Sequence, residues 1–164
     1  MRHVRVLLLA ALAIGFLAPA IHAEEPCCAA VTFQTFNPKE VNIQLVAVKR
    51  TSPNDITVTW QIKNLTDKPV QFDRMQGLAS YQLSSSASVL DIASRTKYGV
   101  AKEQKTQTPV AAKHDPPRAS QGLGLREKAT LDTWAKFLVP ANVTKVTVTL
   151  PGAAMPWENV AITQ

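Results

Sequence analysis

Apolar and polar residues alternate along much of the chain, which is the pattern of β-strands that bury one face. The alternation is clear over 41–47 and clearest over 56–62, where every second residue is apolar and Trp60 is among them. The segment 51–55 between these stretches reads Thr-Ser-Pro-Asn-Asp, and these residue types favour a turn. The sequence therefore predicts a hairpin of two strands with Trp60 in the core.

Shorter strand patterns recur through the rest of the chain, at spacings of roughly ten residues, each bounded by turn residues. Further strands are predicted over 31–36, 70–74, 81–83, 89–92, 97–100, 129–137, 143–150 and 160–162. No sustained helical periodicity follows the first 23 residues. The fold class is therefore predicted to be all-β, an antiparallel immunoglobulin-like β-sandwich of about seven to eight strands.

The first 23 residues have the pattern of a secretory signal peptide. Arg2 and Arg5 flank the start of an apolar run over 4–18, which is too short to be read first as a membrane span. Ile21-His22-Ala23 fits a cleavage site, and Ala18-Pro19-Ala20 is the alternative. We expect a signal-peptide helix over 1–23, a periplasmic or secreted protein, and no membrane span after cleavage.

The remaining chain divides into two parts. Residues 24–40 form an N-terminal arm that carries Cys27 and Cys28, and residues 41–164 form the sandwich. Within the sandwich, a stretch at about 101–124 contains several glutamines and almost no large apolar residue. A long loop is predicted there, and a loop of that length inside a compact domain is either functional or mobile.

Several strand and turn segments resemble a known family. They are Thr59-Trp60 through Val70, Leu90-Asp91, Lys97-Tyr98, Trp134-Ala-Lys-Phe137, Val143 through Gly152, and Pro156 through Ile162. The chain is similar to immunoglobulin-like domains of bacterial exported proteins, most of all to the module that precedes OmpA-like peptidoglycan-binding domains. This resemblance implies the sandwich fold and supplies no catalytic residue.

Two departures limit what the resemblance implies. No OmpA-like domain follows Ile162, so peptidoglycan binding is not implied. The family's cysteines before the strand of Trp134 are missing, so no disulfide is implied there.

Composition and charge exclude some classes of function. The chain is 46% hydrophobic and 18% charged, as in ordinary globular proteins. Its formal net charge of +6 falls to +4 when Arg2 and Arg5 are removed with the signal peptide. The basic residues are spread out, with Lys49-Arg50 the only adjacent pair in residues 24–164, so we do not expect nucleic-acid binding.

Catalytic motifs are missing from the sequence. His114-Asp115 has the residue types of an oriented general base, but no nucleophile motif accompanies it, and there is no zinc box or phosphate loop. We therefore expect neither an enzyme nor a cofactor. The hypothesis favoured by the sequence is a non-catalytic exported module that binds a protein or cell-envelope component, in an oligomeric state that the sequence leaves open.

Four residues are candidates for partner binding. Trp134 is out of phase with Leu131, so it is expected on the opposite face of its strand, exposed to a partner. Trp157 either caps the sandwich or anchors a partner. His114 and Arg118 lie in the predicted loop, where polar side chains are solvated and accessible.

The adjacent pair Cys27-Cys28 suggests an alternative function. Such a pair in an exported chain forms a vicinal disulfide, binds a soft ion such as Cu(I), or pairs with another molecule. The other soft ligands of residues 24–164, Met75, Met155 and His114, are scattered in sequence, so we do not expect a metal site. A periplasmic redox or soft-metal-handling protein is the alternative hypothesis.

Overall fold

A computed structural model of the chain describes residues 27–32, 39–71, 82–114 and 124–164. The signal peptide predicted over 1–23 lies outside these residues. The described elements are β1 (Val31–Thr32), β2 (Val41–Ser52), β3 (Asp55–Asn64), β4 (Val70–Gln71), α1 (Gln82–Ser85), β5 (Ser88–Asp91), β6 (Thr96–Gly99), β7 (Gly124–Leu125), β8 (Thr130–Leu138), β9 (Lys145–Thr149) and β10 (Trp157–Ala161).

The described strands form two four-stranded sheets and one two-stranded pair. The first sheet has the order β1-β2-β3-β8, the second has the order β10-β9-β5-β6, and β4 pairs with β7. All these pairings are antiparallel. The predicted hairpin is confirmed as β2 and β3, with Leu45 opposite Trp60, and so is the all-β fold class.

The alternating pattern of the sequence determines which side chains reach the core. On β3, Ile56, Val58, Trp60 and Ile62 are completely buried, and the residues between them are only partly buried. They form one apolar cluster with buried residues of β5 and β9, such as Val148. Burial of an aliphatic side chain of this size contributes about 1.5–3 kcal/mol. The prediction that Trp60 is a core residue is confirmed.

Backbone contacts join the two sheets at both edges. After β6, Val100 bridges to Phe137 of β8 in the first sheet. After β10, Thr163 bridges in parallel to Lys49 of β2, and its N–H donates to the Val48 carbonyl at 2.9 Å. The core is therefore enclosed by main-chain pairing on both sides.

The prediction of a strand over 81–83 is wrong for residues 82 and 83, which are the two that the structure describes. Residues 82–85 form α1 instead, and the adjacent residues Leu83 and Ser84 are both buried. A strand turns adjacent side chains to opposite faces, whereas a helical turn can bury two neighbours together. The strands predicted over 31–36 and 70–74 begin as β1 and β4, and the remainder of each lies outside the described residues.

Candidate functional site

Strand β8 carries an exposed tryptophan on the outer side of the first sheet. Ala135 and Phe137 are buried in the core, whereas Trp134 and Leu138 are 40% and 59% exposed. The prediction that Trp134 points away from the core is confirmed. Because side chains alternate along a strand, Trp134, Lys136 and Leu138 share the outer face.

We call the outer surface around this tryptophan the Trp134 face. Its members are Thr57, Thr59, Trp134, Lys136 and Leu138. The register of β3 and β8 places Thr59 directly opposite Trp134 and Thr57 opposite Lys136. Directly opposite side chains in an antiparallel pair have Cβ atoms about 4.5–5.5 Å apart, so they form one continuous surface.

The backbone of Trp134 is held on both sides. β3 pairs with β8 along one side. On the other side, the N–H of Ala112 donates to the Trp134 carbonyl at 2.9 Å, and the N–H of Lys136 donates to the Val110 carbonyl at 3.0 Å. β8 is the last strand of the first sheet, but its outer edge is bonded to 110–112. The indole therefore lies on a strand that is hydrogen-bonded on both sides, where backbone motion is smaller than in a loop.

Two polar contacts border the Trp134 face. Gln61 Nε2 donates to Asp132 Oδ1 at 2.7 Å, and Lys136 Nζ lies 3.7 Å from Asp55 Oδ2. The partly exposed ion pair of Lys136 and Asp55 contributes about 0–1 kcal/mol to stability. Both contacts orient side chains beside the two apolar groups.

The long loop predicted at 101–124 is ordered hairpin structure over 101–112. The Ala101 N–H donates to the Lys136 carbonyl at 2.7 Å, and the Val110 N–H donates to the Ala101 carbonyl at 2.8 Å. Because both arms of this hairpin bond to β8 or to each other, the segment extends the first sheet. Sequence reasoning missed this pairing, since few large apolar residues mark it.

The tip of this hairpin is polar and exposed. The N–H of Glu103 donates to the Thr108 carbonyl at 2.9 Å, and Thr106 Oγ1 donates to Glu103 Oε2 at 2.7 Å. Beyond the hairpin, His114 is half-buried, so the expectation of a solvated side chain is not met. Arg118, the other predicted binding residue of this loop, lies outside the described residues.

Trp157 is buried at the edge of the second sheet. Its side chain is 6% exposed, and its Nε1–H donates to the Ala29 carbonyl at 2.8 Å. The sequence left open whether Trp157 caps the sandwich or anchors a partner. In the structure the ring packs in the core and holds the N-terminal arm.

Cys27 and Cys28 lie on the arm where it runs beside β2. Their Sγ atoms are 2.9 Å apart and share a hydrogen bond, and no disulfide bond joins them in the structure. The N–H of Cys27 donates to the Val46 carbonyl at 3.0 Å, and Gln44 Nε2 donates to the Cys28 carbonyl. The pair therefore has a defined position on the sandwich edge.

A groove of about 390 Å³ lies near the turn that follows β5. Asp91 and Val143 are among its lining residues. The carboxylate of Asp91 accepts hydrogen bonds from Ala93 N at 3.0 Å and from Ser94 Oγ at 2.6 Å. These bonds hold the carboxylate in the turn beside the groove.

Among the described residues, no three His, Cys, Asp or Glu side chains are grouped so that they could hold a metal ion. In those residues there is also no helix with the length and apolar character needed to cross a membrane.

Comparison with known proteins supplies no relative. No protein-family model, curated protein or solved structure matches the chain. The resemblance to the module of OmpA-associated envelope proteins thus stays a prediction.

Proposed function

We propose that the protein is a non-catalytic, exported, immunoglobulin-like module that binds a protein partner in the cell envelope through the Trp134 face. The observation that carries the proposal is the 40% exposure of Trp134 on a strand whose backbone is hydrogen-bonded on both sides. A tryptophan in that position leaves apolar surface in water, and a partner would remove that surface from water.

The strand order supports the immunoglobulin-like part of the proposal. Immunoglobulin-type sandwiches place strands A, B, E and D in one sheet and C, F and G in the other. Here β2, β3 and β8 follow the order A, B, E, and the segment 110–112 takes the position of D. β5, β9 and β10 follow the order C, F, G, with β6 next to C.

Two features differ from antibody domains of this class. The buried Trp60 lies on the strand in position B, whereas antibody domains carry their core tryptophan on strand C. Neither β3 nor β9 contains a cysteine, so the sheets are joined without the inter-sheet disulfide. Apolar packing between the two sheets and the backbone bridges at their edges hold this core together.

The composition of the Trp134 face favours a protein partner. Protein interfaces combine aromatic anchors with a polar rim that excludes water, and tryptophan is enriched among the residues that dominate binding energy. Trp134 and Leu138 supply the apolar part, and Thr57, Thr59 and Lys136 supply hydroxyl and ammonium groups around them. The signal-peptide pattern of the first 23 residues supports the location in the periplasm or outside the cell.

Site-specific photo-crosslinking in the original host tests the proposal. A photoreactive amino acid at Leu138 is expected to capture a single protein species, and Trp134→Ala is expected to reduce that capture by about thirtyfold, because loss of a dominant interface residue costs about 2 kcal/mol. The matched control carries the photoreactive residue at Met155, which is 64% exposed and precedes β10 in the second sheet. Circular dichroism of Trp134→Ala checks that the fold is intact.

Three results would contradict the proposal. Equal capture from positions 138 and 155 would indicate random collisions. Capture at 138 that is unaffected by Trp134→Ala would place the interface elsewhere. A crosslinked product that carries a glycan or lipid mass would show that the partner is another envelope component and not a protein.

A further inference from the structure

Hydrogen bonds to β2 hold the two cysteines of the N-terminal arm, one before and one after the peptide group that joins Cys27 to Cys28. The N–H of Cys27 bonds to Val46, and the carbonyl of Cys28 bonds to the Gln44 side chain. One residue further, the Ala29 carbonyl accepts the indole N–H of Trp157. The arm thus contacts both sheets, and the cysteine pair is positioned before any reaction takes place.

The two thiols differ in access to solvent. Cys27 is exposed, and its Sγ–H donates a hydrogen bond to the Leu45 carbonyl at 3.8 Å. Cys28 is half-buried and packs against the apolar core. The two sulfur atoms are 2.9 Å apart, compared with about 2.05 Å in a disulfide bond.

We propose that Cys27 and Cys28 form a reversible thiol–disulfide exchange site that reacts with an external disulfide. The thiolate of Cys27 attacks one sulfur of that disulfide, whose S–S bond breaks and releases a first thiol. The thiolate of Cys28 then attacks Cys27 Sγ in the mixed disulfide, and a second thiol leaves. The two cysteines are oxidised by two electrons, the external disulfide is reduced, and the two cysteine protons end on the two released thiols.

The roles of the two cysteines follow from their exposure. Attack on an external disulfide requires an accessible sulfur, which Cys27 supplies. The second step is intramolecular and requires only that Cys28 Sγ lies next to Cys27 Sγ, as it does at 2.9 Å. Cys27 is therefore the attacking residue and Cys28 the resolving residue.

Adjacency in sequence makes the product easy to reduce. Neighbouring Cα atoms are about 3.8 Å apart across a trans peptide, below the 4.4–6.8 Å that disulfides usually span. Strained and exposed disulfides are the labile ones, whereas structural disulfides resist reduction by glutathione. The site therefore suits repeated oxidation and reduction and adds no long-range crosslink to the fold.

A metal site at the same pair is the competing interpretation. Among the described residues no third His, Cys, Asp or Glu joins the two sulfurs. Soft ions are bound by thiolate, thioether or imidazole ligands, so the mass of the purified chain, which reveals a bound metal, separates this interpretation from exchange chemistry.

The test uses the full chain purified under anaerobic conditions and exposed in parallel to oxidised glutathione or to oxidised DsbA. We expect a mass loss of two hydrogens within one chain, located at 27–28 by alkylation and peptide mapping. Reaction with either oxidant supports the proposal and identifies a small or a protein-borne disulfide as the reactant. Reaction with neither overturns it.

Two single variants assign the roles. Cys28→Ser is expected to accumulate a stable mixed disulfide with glutathione at Cys27, which the wild type resolves. Cys27→Ser is expected to react with oxidised glutathione more slowly than Cys28→Ser, because Cys28 is half-buried. Equal reaction rates for the two variants would contradict this assignment.

Reduction of the disulfide between Cys27 and Cys28 is the last test of the proposal. The oxidised pair is expected to regain both thiols in a glutathione buffer that leaves the structural disulfides of a reference protein in the same vessel intact. Three results would overturn the proposal. The disulfide between Cys27 and Cys28 could stay intact in that buffer, or oxidation could link two chains into a dimer. The purified chain could also carry a metal mass that both serine variants lose. These readouts are independent of partner capture at Leu138, so either proposal can fail alone.

Discussion

Trp157 donates its indole N–H to the Ala29 carbonyl at 2.8 Å, across 128 residues of sequence. Trp157 begins β10 of the second sheet, and Ala29 lies on the arm whose next residues pair with β2 of the first sheet as β1. One hydrogen bond from a buried ring thus links the two sheets through the arm. This link and the bonds from β2 to Cys27 and Cys28 together fix the arm on the sandwich.

Trp157→Phe is expected to loosen the arm and leave the sandwich folded. The substitution keeps an aromatic ring but removes the donor to Ala29, and loss of such a hydrogen bond costs about 1 kcal/mol. Hydrogen exchange should accelerate over 27–32, and the free energy of unfolding should fall by more than that amount, because the smaller ring also leaves a cavity in the core. Trp134→Phe is the control and should leave exchange in the arm unchanged, whereas unchanged exchange in Trp157→Phe would show that other contacts hold the arm.

Arg50 stabilises one end of the sandwich through its guanidinium group. Nη1 donates to the carbonyls of Val139 at 2.9 Å and Pro53 at 3.1 Å, and Nη2 donates to those of Val143 at 2.7 Å and Pro140 at 3.2 Å. These bonds tie the turn after β2 to the turn after β8. A lysine ammonium lacks the planar fork that spans four carbonyl groups.

Arg50→Lys is therefore expected to lower the free energy of unfolding by about 2 kcal/mol, as measured by urea denaturation. Arg126→Lys is the matched control, because Arg126 is exposed, and its effect should stay within about 0.5 kcal/mol. Equal effects of the two substitutions would show that the four bonds contribute little.

Asn64 organises the turn after β3. Its side chain is buried, 2% exposed, and its Nδ2 donates to the carbonyls of Lys68 at 2.7 Å and Arg126 at 2.8 Å. Its Oδ1 accepts bonds from the N–H and the hydroxyl of Thr66, both at 2.9 Å. The amide therefore connects the turn to the segment before β8.

Asn64→Ala is expected to lower the free energy of unfolding by about 2 kcal/mol, since buried partners lose their bonds. Asn142→Ala provides the comparison, because Asn142 also precedes a Val/Leu-Thr pair at a turn but is exposed. Thermal melts of the two variants should differ by several degrees. Indistinguishable melting temperatures would contradict the structural role of the Asn64 amide.

Local alternation was enough to predict the principal strands and the exposed side of one of them. Trp60 and Phe137 share the phase of their apolar neighbours and are buried, whereas Trp134 is out of phase and exposed. The candidate site was therefore visible in part. Leu138 has the same phase as Trp134 and could have been found by extending the pattern by four residues.

The sequence by itself determined the class of fold, because apolar residues at every second position decide which face of each strand is buried. Only the tertiary structure decided how the arm, the 101–112 hairpin and α1 attach to that core. These attachments depend on backbone groups and single polar side chains far apart in the chain, as in the bond from Trp157 to Ala29. Hydrogen bonds of that kind have no periodicity in sequence, since any residue supplies a carbonyl group and only folding brings the donor to it.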